Sequence, residues 1–358
     1  MTQSVFEIEM LPGREGDCLL LNYGSERLRR HILIDGGRAA TWASLKPRLA
    51  QLPQEERHFE LLIVTHVDRD HIEGILSMIE EGNRPVTFND VWFNGYHHLL
   101  GGSFEAFGAV QGERLTAALR RLNWHWNGAF NGGAVRIKDD QAVRVSLAGG
   151  MELTVVSPDK HQLAELAPRW LEEVMDAGMV IDQPPKVLDV PSGYEALGRN
   201  IDIEALADST FVADSSKPNA SSIALVAEFE GRRALLTGDA HVDRLIQSLK
   251  PLAEAEGGRL RLDVAKLSHH GSKRNVSSEL IRLLACPRYL VSTDGSHFNH
   301  PDPEAIARVI KHGGANVELA FNYSTAQTEL WGGKRLRDKW GYRAMYPSEQ
   351  GGYLRISC

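Results

Sequence analysis

Cysteine is scarce. Cys18, Cys286 and Cys358 are the three in 358 residues. They are too few and too scattered for a disulfide framework and lack metal-thiolate spacing, which leads to the expectation of a reducing compartment. No apolar run reaches the ~18 residues that a bilayer span needs. The N-terminus, Met1-Thr2-Gln3-Ser4, runs straight into alternating Phe6, Ile8 and Met10 without the basic and apolar regions of a secretory signal. A cytoplasmic protein with no membrane partner is therefore expected. An excess of positive charge is also lacking. A net charge of -7 argues against a generally basic nucleic-acid binder, although bound metal ions can supply the local positive charge that a phosphate needs. Internal repeats and low-complexity tracts are missing as well. What remains is ordinary for a globular chain, 42% apolar and 24% charged, and long enough to bury a full core.

The strongest pattern is Thr65-His66-Val67-Asp68-Arg69-Asp70-His71. It follows the apolar run Leu61-Leu62-Ile63-Val64, which reads as a buried strand, and precedes Ile72, Ile75, Leu76 and Ile79 at helical spacing. The heptad is thus a strand-to-helix loop carrying four metal-ligating side chains within six positions, at the place where a parallel sheet opens. Mixed imidazole and carboxylate suits a borderline or hard divalent ion.

His66-x-Asp68-x-Asp70-His71 resembles the signature of the metallo-β-lactamase fold, His-x-His-x-Asp-His, with Asp68 where the second His usually stands. That substitution resembles the branch containing the hydrolase domain of the ComEC DNA-uptake proteins and the related phosphorylcholine esterases. It argues against a β-lactamase and moves the metal preference from zinc toward manganese. The resemblance implies one four-layer αββα sandwich over residues 1–358. Its first half would be residues 1–95, its second half 219–358, and residues 96–218 would be a partly irregular insertion or lid with some strands. Long irregular segments in compact domains are often binding loops.

Along the chain, strands are expected at residues 5–10, 18–23 and 31–34, a helix at 39–52 interrupted by Pro47, the metal-loop strand and helix, and a returning strand at 85–94. Helical spacing marks 169–179, whereas 182–208 carries Pro, Gly and acidic residues without periodicity. Gly-Asp at 16–17 and Asp35-Gly36-Gly37 read as turns. By resemblance, Asp35 orients ligands from behind and Asp17 is its partner. Asn219-Ala220-Ser221-Ser222 resembles the segment that opens the family's second half, and Thr237-Gly238-Asp239 places a carboxylate where the family bridges two ions. Lys266-x-x-His269-His270-Gly271-Ser272 follows a strand at 262–267. Alternation of side chains along an extended chain turns the two histidines to different faces. The resemblance assigns His270 as the ligand and leaves Lys266 and His269 beside the substrate. Asn299-His300-Pro301 approximates another family segment, with His300 a phosphate contact or acid.

The resemblance implies two divalent ions, Zn2+ or Mn2+. His66, Asp68 and Asp239 would hold one, and Asp70, His71, Asp239 and His270 the other, with Asp239 shared and a hydroxide between them. Asp70, His269, His300 and Lys266 would serve catalysis. No mid-chain histidine matches the family's further ligand; His97 and His98 are nominal candidates. The expected function is a phosphodiesterase or nuclease acting on DNA or RNA. Alternatives are a small-molecule hydrolase, such as a phosphorylcholine esterase or lactonase, and a non-catalytic metal-stabilised module in a larger complex.

Overall fold

Side-chain parity along the strands builds the layers. Leu61 and Ile63 enter a core between two sheets, while Leu62 and Val64 enter a second core on the outer side of the first sheet. Likewise Leu225, Ala227 and Phe229 face the inter-sheet core, and Ala224 and Val226 face a third core outside the second sheet. The computed structural model describes residues 3–99, 110–177, 201–348 and 352–358.

Among the described residues the first sheet has six strands, in the order Leu354–Ser357, Ser4–Met10, Leu19–Ser25, Leu28–Ile34, Leu61–Ile63 and Val91–Trp92. Its first four are antiparallel neighbours and the last two join in parallel. The second has eight, in the order Arg343–Met345, Glu318–Phe321, Arg288–Val291, Val264–Lys266, Arg232–Leu236, Ala224–Phe229, Glu152–Ser157 and Val143–Ser146. It is parallel from Arg343–Met345 to Arg232–Leu236 and antiparallel beyond.

Helices cover both outer faces. Trp42–Ala50, Arg69–Glu81 and Val110–Leu122 pack outside the first sheet. Val242–Glu254, Ser278–Leu283 and Pro303–His312 pack outside the second. The chain is therefore a four-layer αββα sandwich of mixed α/β class. No helix among the described residues is long and apolar enough to cross a membrane.

Within residues 96–218, Val143–Ser146 and Glu152–Ser157 are strands of the second sheet, and Lys160–Ala177 adds Leu163, Leu166 and Trp170 to the first outer core. Much of the stretch expected at 182–208 lies outside the described residues. Two expectations differ from this architecture. The returning strand at 85–94 is only Val91–Trp92, because Thr87–Phe88 pairs with His58–Phe59 in a separate two-stranded sheet. Finally, His269 and His270 do not lie on a strand. The strand ends at Lys266, and both histidines sit in a tight turn with left-handed backbone, φ 50° and 55°. Turn geometry, not strand alternation, therefore sets their directions.

Candidate metal centre

The loop after Leu61–Ile63 delivers His66 and His71, and the helix Arg69–Glu81 begins inside it. Asp68 occupies the N-cap position of that helix, yet its carboxylate makes no capping bond. It reaches toward His66 Nε2 instead, at 3.5 Å, from a partly exposed position on the rim. Behind the loop stands Asp35. His71 Nδ1 donates to Asp35 Oδ2 at 2.8 Å, and Thr65 gives both its backbone N–H and its hydroxyl to the same carboxylate.

These partners fix tautomers. The Thr65 hydroxyl proton goes to Asp35, so toward His66 the oxygen accepts, and His66 Nδ1 donates to it at 3.0 Å. His270 Nδ1 donates to the carbonyl of Ser292 at 2.9 Å. His269 Nδ1 donates to Asn275 Oδ1 at 3.0 Å, and the Asn275 amide in turn donates to Asp214 Oδ2 at 3.1 Å. In each neutral imidazole the lone pair is left on Nε2, and all four Nε2 atoms turn to Asp239. Oδ1 of that carboxylate lies 3.4 Å from His71 and 3.6 Å from His270, and Oδ2 lies 3.7 Å from His269 and 3.9 Å from His66. Asp70 joins on the Oδ1 side, 3.3 Å from His270 Nε2 and 3.6 Å from His71 Nε2.

Whether this set suits metal ions can be tested on its own atoms. His66 Nε2, His71 Nε2, His270 Nε2 and Asp239 Oδ1 are fully buried and have no hydrogen-bond partner among the described residues. Leaving such groups unsatisfied is costly, and a cation at their focus satisfies them together. Donor atoms of His66, His71 and Asp239 lie within 4.8 Å of one another, as do those of Asp70, His71 and His270. Electrostatics agree. Burial works against charge on His71 and His270, but the facing carboxylates, Asp239 foremost, push both imidazoles above their usual range. Burial likewise works against charge on Asp239, and the histidines hold it well below the usual carboxylate range. The pocket draws positive charge, and the residues fit divalent ions.

Other expected residues fall elsewhere. Lys266 does not line the mouth. It shares the parity of Val264, which faces the inter-sheet core, so its ammonium lies buried beneath the cluster, 2.5 Å from Asp17 Oδ2 and 4.0 Å from Asp239 Oδ1. Burial pushes Asp17 up, but Lys266 and His270 outweigh it and hold the carboxyl at about 2. Asp17 thus supports Lys266 and His270 more directly than it supports Asp35. His300 packs its ring 5.2 Å from that of His269, and burial, with His269 and His270 beside it, pushes it down to about 3. That ring is neutral at pH 7 and suits a hydrogen-bond contact better than an acid. His98 is engaged through both nitrogens, accepting from Gly95 N and donating to Gly132 O. His97 and His98 line a separate cavity of about 340 Å³ with Arg136 and Lys160, away from the cluster.

Sequence reasoning missed Asp214 and Asn275, which hold His269, and gave Thr65 and Ser222 no role. Ser222 Oγ lies 3.1 Å from His66 Nδ1 and accepts from Asp239 N at 3.1 Å, tying the two halves of the centre. Asp214 lies in aperiodic sequence and carries no local signal. Arg38 and Arg69 also line the mouth, a cavity of about 330 Å³ reaching Asp68 and Asp70.

Fold and site together define the class of chain: an αββα sandwich with a histidine and carboxylate cluster at the strand ends. Neither a protein-family model nor a curated protein matches the sequence. Solved structures do resemble it. A mutant of the CmlA beta-hydroxylase is 13% identical with a TM-score of 0.46, over 100% of this chain and 54% of that chain. This chain thus spans about half the length of that protein. YhfI, a metallo-beta-lactamase fold protein from Bacillus subtilis, is 11% identical with a TM-score of 0.42, over 99% and 100% of the two chains.

Proposed function

We propose that the protein is a metal-dependent hydrolase of phosphodiesters, nucleic acid foremost among them. The observation that carries the reading is the convergence of His66, His71, His270 and Asp239 through buried atoms with no other partner among the described residues. His66, Asp68 and Asp239 would hold one ion, and Asp70, His71, Asp239 and His270 the other. When bound, such ions supply Lewis-acid charge for a phosphoryl oxygen and lower the pKa of water toward ~7.

The protein's own groups do the rest. Asp239 presents one oxygen to each side of the centre, and Asp35 and the Ser292 carbonyl keep His71 and His270 from turning. Asn275 and Asp214 do the same for His269, a partly exposed ring whose Nε2 lies 3.7 Å from Asp239 Oδ2 and would meet a substrate oxygen seated above that carboxylate. Arg69, more than half exposed at the mouth, offers charge to a neighbouring phosphate.

The test is to incubate the protein, loaded with Mn2+ or Zn2+, with single-stranded DNA, RNA, bis-p-nitrophenyl phosphate and a lactone. Metal-dependent cleavage of the phosphodiesters is expected. Cleavage of the lactone alone would replace the substrate class, and no cleavage in any metal would overturn the enzymatic reading.

A further inference from the structure

Phe298 breaks two rules at once. It is 65% exposed, and its backbone is left-handed at φ 53°, a conformation that bulky side chains avoid. A ring left in water also forgoes the burial that makes aromatic residues useful in a core. Neither feature is explained by a loose loop. Asp294 N donates to Arg14 O at 2.8 Å, Ser296 N to Asp294 Oδ1 at 2.9 Å, and Asp302 N to Gly271 O at 3.0 Å. The ring is held out on a braced loop.

Its position relates it to the metal centre. Phe298 and Arg69 line the same mouth as Asp68 and Asp70. From the centre outward, rings follow one another: His269 beside Asp239, His300 5.2 Å from His269, Phe298 6.0 Å from His300, and His297 4.1 Å from Phe298. Arg69 bonds Glu73 through Nε at 2.6 Å, and its terminal nitrogens have no acceptor among the described residues. A flat apolar face and a guanidinium on one opening match a ligand that alternates planar rings and phosphates.

Resting on the phosphodiesterase reading, we infer that Phe298 is a stacking platform for a nucleobase of single-stranded nucleic acid, next to the phosphate seated over Asp239, with Arg69 taking an adjoining phosphate. A base stacked on Phe298 has left its own duplex stack, so the single strand is the form bound.

The experiment uses a short fluorescent oligothymidine, its abasic counterpart of equal length, and its duplex, each with a phosphorothioate backbone that resists cleavage. Anisotropy is measured on the wild-type protein, Phe298→Ala and Phe298→Trp in Mn2+. The wild type should bind the base-bearing strand more tightly than the abasic strand or the duplex. Phe298→Ala should weaken the base-bearing strand by about tenfold or more, in line with the stacking energy of one base, with the abasic strand held equally by both proteins. Phe298→Trp should restore the preference. Equal loss on both strands, no loss on either, or equal binding of strand and duplex would overturn the platform. Because the readout is binding, base-dependent binding without cleavage of ordinary strands would sustain the platform and count against the phosphodiesterase reading.

Discussion

Asp239 faces four imidazoles, and each is distinguished by what holds its other nitrogen. His270 is fixed by a backbone carbonyl and is buried, whereas His269 is fixed by Asn275 and stands on the rim. Substituting His270 with Ala should therefore lower metal content along with rate. His269→Ala should keep its metal and slow turnover by roughly 10²–10⁴-fold, the usual loss for an acid or phosphate contact. Metal analysis of both variants checks this, and metal loss in His269→Ala with retention in His270→Ala would reverse the assignment. His98 carries a pH dependence of its own. Burial, with His97 beside it, pushes its imidazole down to about 3, and protonation would break its acceptance from Gly95 N. A depressed folded value means the stabilisation is present above the unfolded value near 6.5 and is lost as pH falls toward 3. Between pH 6.5 and 5 the fold should lose roughly 2 kcal/mol through this ring. Denaturant midpoints at pH 7 and 5 should therefore diverge less in His98→Asn than in the wild type. Equal divergence would clear His98 of the effect.

At the scale of elements, the metal loop depends on a close backbone approach. The turn Asp35-Gly36-Gly37 presses on the first turns of the helix Arg69–Glu81, with Gly36 N donating to His71 O at 2.7 Å and Gly74 N to Gly37 O at 3.0 Å. A Cβ on Gly74 would lie 1.9 Å from the Gly36 carbonyl oxygen. Gly74→Ala should cost about 3 kcal/mol by overpacking and weaken metal binding by parting Asp35 from His71. Denaturation and metal titration would show both, and a variant as stable as the wild type would mean the turn yields freely. The Gly pair was legible as a turn, and Gly37 does have positive φ, at 65°. The need for Gly36 and Gly74 to touch was not legible, because it arises between segments. The adjacent histidines teach the same lesson. Both turn Nε2 to Asp239, one to each carboxylate oxygen, through a left-handed turn that extended-chain parity does not foresee.

Across the molecule, what periodicity encodes was readable: the strand before His66, the helix after it, and the inward parity of Phe6, Ile8 and Met10. Residues 96–218 were harder to read. Val143–Ser146 and Glu152–Ser157 are short strands whose membership in the second sheet is set by the distant Ala224–Phe229. The His98, Asp214 and Lys266 environments are likewise tertiary. Lys266 looked available for substrate, and only the packing of two sheets shows its ammonium enclosed with Asp17. The two sheets meet where His66, Ser222 and Asp239 are joined by hydrogen bonds, so the centre spans both of them. We propose that a cation pair occupies this junction. Equilibrium dialysis of the intact chain against Mn2+ and against Zn2+, followed by elemental analysis, should give about two ions per chain, with a marked fall in a folded Asp239→Asn variant. A wild type that retains no metal, or an Asp239→Asn variant that retains as much as the wild type, would contradict it.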